Sequence, residues 1–327
     1  MRMIEEQIAA LERVEAPQTK QPDFDAFWAE TVAEARNRPL QVEGGPIDYP
    51  IPEVEVRDLT FEGVDGTKVH AWLLLPAASR RGGPVPVVCC FHGAGGSRGV
   101  PASHAAWLAM GAAVIAHDFR MQTGLTGSAT GFAGGGVGTW FSWGVLDARG
   151  HFFRRAWGDC LRAVELALAT PEIDDARIAV TGGSQGGAAA LAIAALHPAV
   201  AGCMADVPSN CWLEKRLFDR AGGVAAVAQY LRANPDLVDR ACRTLSYFDI
   251  VNLADRIRCP VKVSLGLKDP VCPPENVYAA CNRITAPIEI CPYPFGEHDG
   301  GGAAHLERKL AFFNKHFLDA AAAAGRT

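Results

Sequence analysis

The sequence predicts an α/β chain with a mostly parallel central sheet and helices on both faces. Three observations carry this. Short apolar runs recur at residues 54–61, 69–75, 85–91, 112–117, 178–181, 201–207, 261–267 and 288–293. Helical patterns at 154–169, 188–196 and 303–318 alternate with the later runs. One junction, Gly182-Gly183-Ser184-Gln185-Gly186-Gly187, sets a serine between an apolar strand and an Ala/Leu-rich helix. With 327 residues, 49% hydrophobic and 20% charged, the chain can bury a sizeable core without disulfides or metal.

The elements follow in order. Residues 1–15 place Ile4, Ile8 and Leu11 on one helical face, and residues 23–36 carry Phe24, Phe27, Trp28 and Val32 at helical spacing. Pro39, Gly44, Gly45, Pro46, Pro50 and Pro52 then read as linker, so 1–52 is expected to form an N-terminal helical extension. Asp65-Gly66 signals a hairpin between the first two strand runs. A Gly-rich stretch runs from Arg120 to about Gly150 and holds Gly134-Gly135-Gly136, Gly138, Trp140, Trp143 and Gly144. A loop that long in a compact domain is usually functional or interfacial, and its aromatics suggest that it packs on something. Residues 208–250 read as a helical insertion before the last two strands, over the strand ends. The whole of 1–327 is expected to be one domain, with Ala320 to Ala324 a frayed tail.

Composition narrows the partners. The formal net charge of −5, without basic runs, argues against nucleic acid or an anionic membrane. No apolar run approaches the ~20 residues of a membrane span, and 1–15 lacks the pattern of a secretory signal, so a cytoplasmic enzyme is expected. The ten cysteines show no C-x-x-C pair and no Cys/His ligand spacing. They are expected to be reduced, mostly buried small hydrophobes, with no metal and no cofactor.

Gly182, Ser184 and Gly186 satisfy G-x-S-x-G, in which a serine on a strained strand-to-helix turn is flanked by small residues. The amides that open the helix favour a developing oxyanion. A nucleophilic serine needs a base, and the base needs an orienting acid. In the α/β-hydrolase arrangement they arrive in the order Ser, Asp/Glu, His, each just past a strand. Asp269 follows the run 261–267, and His298 lies in a Gly-flanked loop after 288–293. His305 and His316 fall within the last helix, and His70, His117 and His197 precede the acid, so His298 is the candidate base, with Glu275 and Asp299 as reserve acids. The oxyanion donors are expected from the amide of Gln185 and from the turn Phe91-His92-Gly93-Ala94-Gly95-Gly96 after the third strand. Neither G-x-G-x-x-G before a helix nor a Walker lysine is present, which argues against nucleotide binding.

These blocks resemble the acetyl xylan esterase and cephalosporin C deacetylase family of carbohydrate esterases, over nearly the whole chain. The resemblance rests on Pro22 to Trp28, Gly144-Val145-Leu146-Asp147, Gly182 to Gly187, Arg243 to Asp249 and, most specifically, Gly266-Leu267-Lys268-Asp269-Pro270-Val271-Cys272-Pro273-Pro274. The family's Arg-Gly-Gln, Gly-x-Ser-Gln-Gly and His-Glu signatures stand here as Arg120-Met121-Gln122, Gly182 to Gly186 and His298-Asp299. The resemblance implies Ser184, Asp269 and His298 as the triad, backbone donors at Gln185 and Ala94, and site support from Arg120 and Gln122. It also implies a substrate pocket touched by His104, Pro208, Ser209 and Val271, and a cytoplasmic hexamer that admits small esters. Three aromatic positions of the family read Ala94, Ser209 and His104 here, which predicts a wider, more polar pocket unless Trp107, Trp212 or the Gly-rich loop refills it. Met121 replaces a glycine, which would strain a turn that needs positive φ.

The reading is a serine carboxylesterase of α/β-hydrolase fold acting on small acetylated sugars or similar esters. The rivals are another triad enzyme acting on amides or acyl acceptors, and a catalytically silent binding protein of the same fold. Fold alone would not decide among them.

Overall fold

Nine strands form one sheet in the order β1-β2-β3-β5-β4-β6-β7-β8-β9. They are β1 (Glu43–Ile47), β2 (Val54–Glu62), β3 (Lys68–Pro76), β4 (Val85–Phe91), β5 (Ala113–His117), β6 (Ile173–Gly183), β7 (Val200–Asp206), β8 (Val261–Gly266) and β9 (Ile288–Tyr293). The computed structural model describes residues 1–78, 81–132, 136, 138–220 and 222–319. Pairing is antiparallel from β1 through β2 and β3 to β5. It is parallel from β5 through β4, β6, β7 and β8 to β9. The parallel part therefore ends its strands along one edge, where loops carry functional side chains.

Both sheet faces are covered, as near-continuous apolar strands require. Successive side chains alternate across a pleat. Val87, Cys89, Phe91, Ile178 and Val180 face the larger core, with α2 (Phe24–Asn37), α4 (Phe152–Leu168), α5 (Gln185–Leu196) and α9 (Pro274–Cys281). Val88, Ala179 and Met204 face the smaller one, with Trp107 on α3 (Ala105–Ala109) and Phe312 and Phe313 on α10 (Gly302–Phe313). α1 (Arg2–Leu11) lies against α9, where Asn282 Nδ2 donates to the carbonyls of Leu11 and Val14. Trp28 of α2 is fully buried and stacks on Trp157 of α4 at 5.7 Å between ring centroids.

Most expected elements stand where the apolar periodicity put them. The linker is a correction: Glu43–Ile47 pairs with β2, from Glu43 opposite Thr60 to Ile47 opposite Val56. It is an exposed edge strand, the one place in a sheet where Pro46 costs no ladder bond and where no burial pattern is needed. The last helix stops at Phe313 and continues as a π-turn over Asn314–Asp319. Gly134, Gly135 and the tail at Ala320 to Ala324 lie outside the described residues. All ten cysteines are free, and all but Cys90 and Cys242 are buried. Among the described residues no helix is long and apolar enough to cross a membrane.

The insertion consists of α6 (Leu213–Asp219), α7 (Ala225–Ala233) and α8 (Val238–Ser246). One carboxylate closes it. Asp249 accepts from the amides of Trp212 (3.0 Å), Leu213 (2.6 Å) and Val251 (3.0 Å). The Ile250 amide donates to the Asn210 carbonyl, and Asn210 Nδ2 donates to that of Phe248. Burial pushes the Asp249 carboxyl up to about 6 against the pull of its three amide donors.

Arg120, fully buried, fastens three separate segments. Its guanidinium donates to both oxygens of Asp159 on α4 at 2.7–2.9 Å and to both oxygens of Asp65 in the β2–β3 turn at 2.9 and 3.2 Å. Burial alone would raise Asp65, but Arg120 and the hydroxyls of Thr130 and Thr67 override it and hold the carboxyl well below its usual range. Because the folded state depresses this pKa, the stabilisation is present above the unfolded value of 3.8 and is lost as pH falls below it. Asp65→Asn should lower stability at pH 7 by about 2 kcal/mol, the scale of hydrogen bonds to a charged group. Urea titrations at several pH values should also show a shallower loss of stability below pH 4 in the variant than in the parent.

Candidate active site

The turn from β6 to α5 presents Ser184 at φ 55° and ψ −113°, a conformation that side chains other than glycine rarely adopt. The turn is tight enough to exclude neighbouring side chains. A Cβ on Gly186 would sit 1.9 Å from the Phe91 carbonyl oxygen, and one on Gly182 would sit 2.5 Å from that same oxygen. The backbone is pinned by the Ser184 amide on the Asp206 carbonyl (2.8 Å) and the Ser209 amide on the Ser184 carbonyl (3.0 Å).

Two loops from later strand ends meet the serine. His298 Nε2 lies 3.0 Å from Ser184 Oγ, and His298 Nδ1 lies 2.8 Å from Asp269 Oδ2. Asp269 is buried, and its other oxygen accepts from the amides of Val271 (2.7 Å) and Cys272 (2.9 Å). A carboxylate already taking two amide donors is fixed as an acceptor. Nδ1 therefore carries the proton and Nε2 accepts from the serine hydroxyl. The Cys272 thiol is also close, and donor atoms of Asp269, Cys272 and His298 lie within 4.8 Å of one another. Burial pushes that thiol up to about 11, which keeps it neutral. The Asp269–His298 hydrogen bond accounts for the closeness of two of the three, with the buried thiol beside them.

Gln185 opens α5, and first-turn amides have no partner within their own helix. Ala94 lines the cavity above Ser184, in a loop shaped by His92. Burial lowers the His92 pKa, and the neutral ring donates from Nδ1 to the Gly93 carbonyl (2.7 Å) while Nε2 accepts from the Phe119 amide (2.8 Å). The segment after β7 is strained in three places, with positive φ at Val207, Asn210 and Trp212.

The cavity above Ser184 measures about 630 Å³. Ala94, Ser209 and Val271 line it as expected, joined by Thr139, Trp140, Phe141 and Arg216. Pro208 is not at its wall: its Cα abuts Gly187, so it supports the elbow from behind. His104 is a correction as well. Its Nε2 bonds the Arg98 carbonyl (3.0 Å) in a 3₁₀ turn over Pro101–His104, away from the cavity. Trp107 faces the smaller core, and of the candidates for refilling the space it is the Gly-rich segment that does so, through Trp140 and Phe141. The signal was present as tryptophans among glycines, but their direction depends on a loop path that periodicity does not encode. Arg120 acts through the backbone of its loop, whereas Gln122 reaches the site directly: its Oε1 accepts from the Gly95 amide (2.8 Å) and its Nε2 donates to Gln185 Oε1 (3.1 Å).

A nine-stranded, mostly parallel sheet with helices on both faces and a serine at a strained strand-to-helix turn defines an α/β hydrolase. The acetyl xylan esterase (AXE1) family model matches residues 1–317, and the chain belongs to that family, whose named members are carboxylic ester hydrolases. The chain is 32% identical to an acetyl xylan esterase from Paenibacillus sp. R4, covering 94% of this chain and 99% of that one with a TM-score of 0.91. Against acetyl xylan esterase 1 from Thermoanaerobacterium sp. JW/SL YS485 the identity is 28%, with 94% and 98% covered and a TM-score of 0.88. The acetyl esterase Axe7A of Xylanibacter ruminicola is 31% identical over 86% of this chain, which spans 64% of that longer protein.

Met121 sits at φ 56°, so the side chain strains a turn that glycine would enter freely. Half exposed, it gains little burial in return. Met121→Gly should therefore stabilise the fold by about 0.5–1 kcal/mol after the entropy cost of glycine, read as a higher urea midpoint.

Proposed function

We propose that this protein is a serine carboxylesterase that deacetylates small acetylated saccharides or related small esters, cephalosporin C-like ones among them. The hydrogen-bonded chain Asp269–His298–Ser184 at the floor of the cavity carries the reading. Ser184 attacks the ester carbonyl as His298 Nε2 takes its proton. The imidazolium is held by Asp269, and the tetrahedral oxyanion is met by the amides of Gln185 and Ala94. His298 then returns the proton to the leaving alcohol, and water repeats the attack on the acyl-enzyme and releases the acid. Trp140 and Phe141 stand as large apolar walls where Ala94, Ser209 and the withdrawn His104 leave room, and this supports selection for a short acyl group.

kcat/KM should fall from acetyl to octanoyl along a p-nitrophenyl ester series by at least about 100-fold, on the scale of discrimination by apolar pocket fit. Ser184→Ala should remove at least about 10³-fold of the acetyl rate. A flat profile that still depends on Ser184 would mean that the aromatic walls do not limit the acyl group. Turnover of amides alone would move the reading to a peptidase.

The free, mostly buried thiols are compatible with a reducing, cytoplasmic setting. By its resemblance to the family the chain is assigned to a hexamer whose active sites face a shared interior, and light scattering after gel filtration should give about six times the 34.8 kDa chain mass. A monomer at working concentration would reject that assembly.

A further inference from the structure

Gln185 carries more than its backbone amide. Its side chain is buried, and its Oε1 accepts from two donors that come from separate parts of the segment after β5: Gln122 Nε2 at 3.1 Å and Trp140 Nε1 at 2.6 Å. The orientation of each amide follows from the groups at the two ends. A backbone N–H and an indole N–H can only donate. The Gly95 amide thus demands the oxygen of Gln122 at one end (2.8 Å), which turns the Gln122 nitrogen toward Gln185. The Trp140 indole demands the oxygen of Gln185 at the other end. Gln185 Nε2 is left buried without a hydrogen-bond partner among the described residues. That is an unfavourable position for an amide, and it shows that the two donors to Oε1 set its orientation.

The chain Gly95–Gln122–Gln185–Trp140 therefore spans the two halves of the oxyanion hole. Gly95 follows Ala94 in one donor loop, and Gln185 supplies the other donor at the start of α5. Trp140 also lines the cavity above Ser184. We propose that Trp140 is a positioning residue for the oxyanion hole: its indole N–H, acting through Gln185 and Gln122, holds the Gln185 amide and the Ala94 loop at the separation the transition state requires. The inference rests on the esterase reading and adds to it that one side chain both bounds the acyl pocket and sets the geometry of charge stabilisation. A group that fills the pocket against the Trp140 ring thereby bears on the donors.

Trp140→Phe and Trp140→Ala separate the two roles, because phenylalanine keeps an aromatic wall and loses only the N–H. Trp140→Phe is expected to lower kcat for p-nitrophenyl acetate about 10-fold with KM within about twofold, less than the loss on deleting a donor outright. Its affinity for an alkylboronic acid, whose tetrahedral serine adduct puts an oxygen in the hole, should fall in the same proportion. Its acyl-chain profile should stay that of the parent, whereas Trp140→Ala should shift that profile as well. Gln122→Ala approaches the same chain from its far end. It should reproduce the kcat loss, and combined with Trp140→Phe it should cost less than the product of the two single losses. Gln122→Ala also stands in should the tryptophan variant fail to fold. Parent-like kcat and boronate affinity in both single variants would overturn the inference and leave Trp140 as a wall alone. If the parent itself shows no Ser184-dependent ester turnover, the esterase reading falls and this inference with it. Parent activity with unaffected variants rejects the inference only.

Discussion

The molecule is organised around one backbone contact, the packing of Gly186 against the carbonyl of Phe91. A strand must end, reverse into a helix and expose a hydroxyl at the same point. That is achieved only if β4 and the first turn of α5 approach closer than any side chain permits. Ser184 accepts positive φ as a consequence, and the direction of α5 follows, so that the helix presents its first amide beside the serine. The positions of Asp269 and His298 are then set by parallel neighbours of the same sheet, β8 and β9, whose ends lie along the same edge. Sheet register thus sets where the two loops begin, and short loop segments held by backbone hydrogen bonds, such as the Val271 and Cys272 amides on Asp269, complete the placement.

Buried charge fastens the regions that the sheet does not reach. Arg120 joins the β2–β3 turn to α4 and anchors the start of the Gly-rich segment. A guanidinium suits this role because its planar fork serves two carboxylates at once. A buried ion pair of this kind is weak evidence of net stability, since desolvation offsets much of the attraction. Its effect is positional: it fixes where residue 122 begins, and so where the Gln122 side chain stands between the Gly95 amide and Gln185.

Sequence patterns were informative where a physical constraint acts on residues close together. The elbow was legible because glycine is compulsory at positions 182 and 186. The meeting of Ser184, Asp269 and His298 was legible because Asp269 and His298 each follow an apolar strand run, and their order along the chain left little freedom. The parallel strands were legible because they are buried on both faces. β1 was not, since an edge strand in solvent needs no apolar alternation and tolerates Gly44, Gly45 and Pro46. The cavity walls were legible only in part. Whether His104 or Trp140 faces the substrate depends on the path of a loop, and that path is set by distant partners such as Arg98 and Gln185. Replacing three aromatic positions by Ala94, Ser209 and His104 suggested an open pocket, but an aromatic wall can enter from a different segment and leave no local trace.

The closure of the insertion by Asp249 has a consequence for how this architecture can diversify. Residues 212 and 251 are brought together by one carboxylate, so the chain between them leaves and rejoins the core at nearly the same place. The elbow, β8 and β9 lie outside that loop. A lineage can therefore exchange α6 to α8 for a segment of other length or chemistry as a single module, keeping Asp249 as its fastening. The roof over Ser184 can then change in one step while the elbow and the strand ends beneath it are inherited intact.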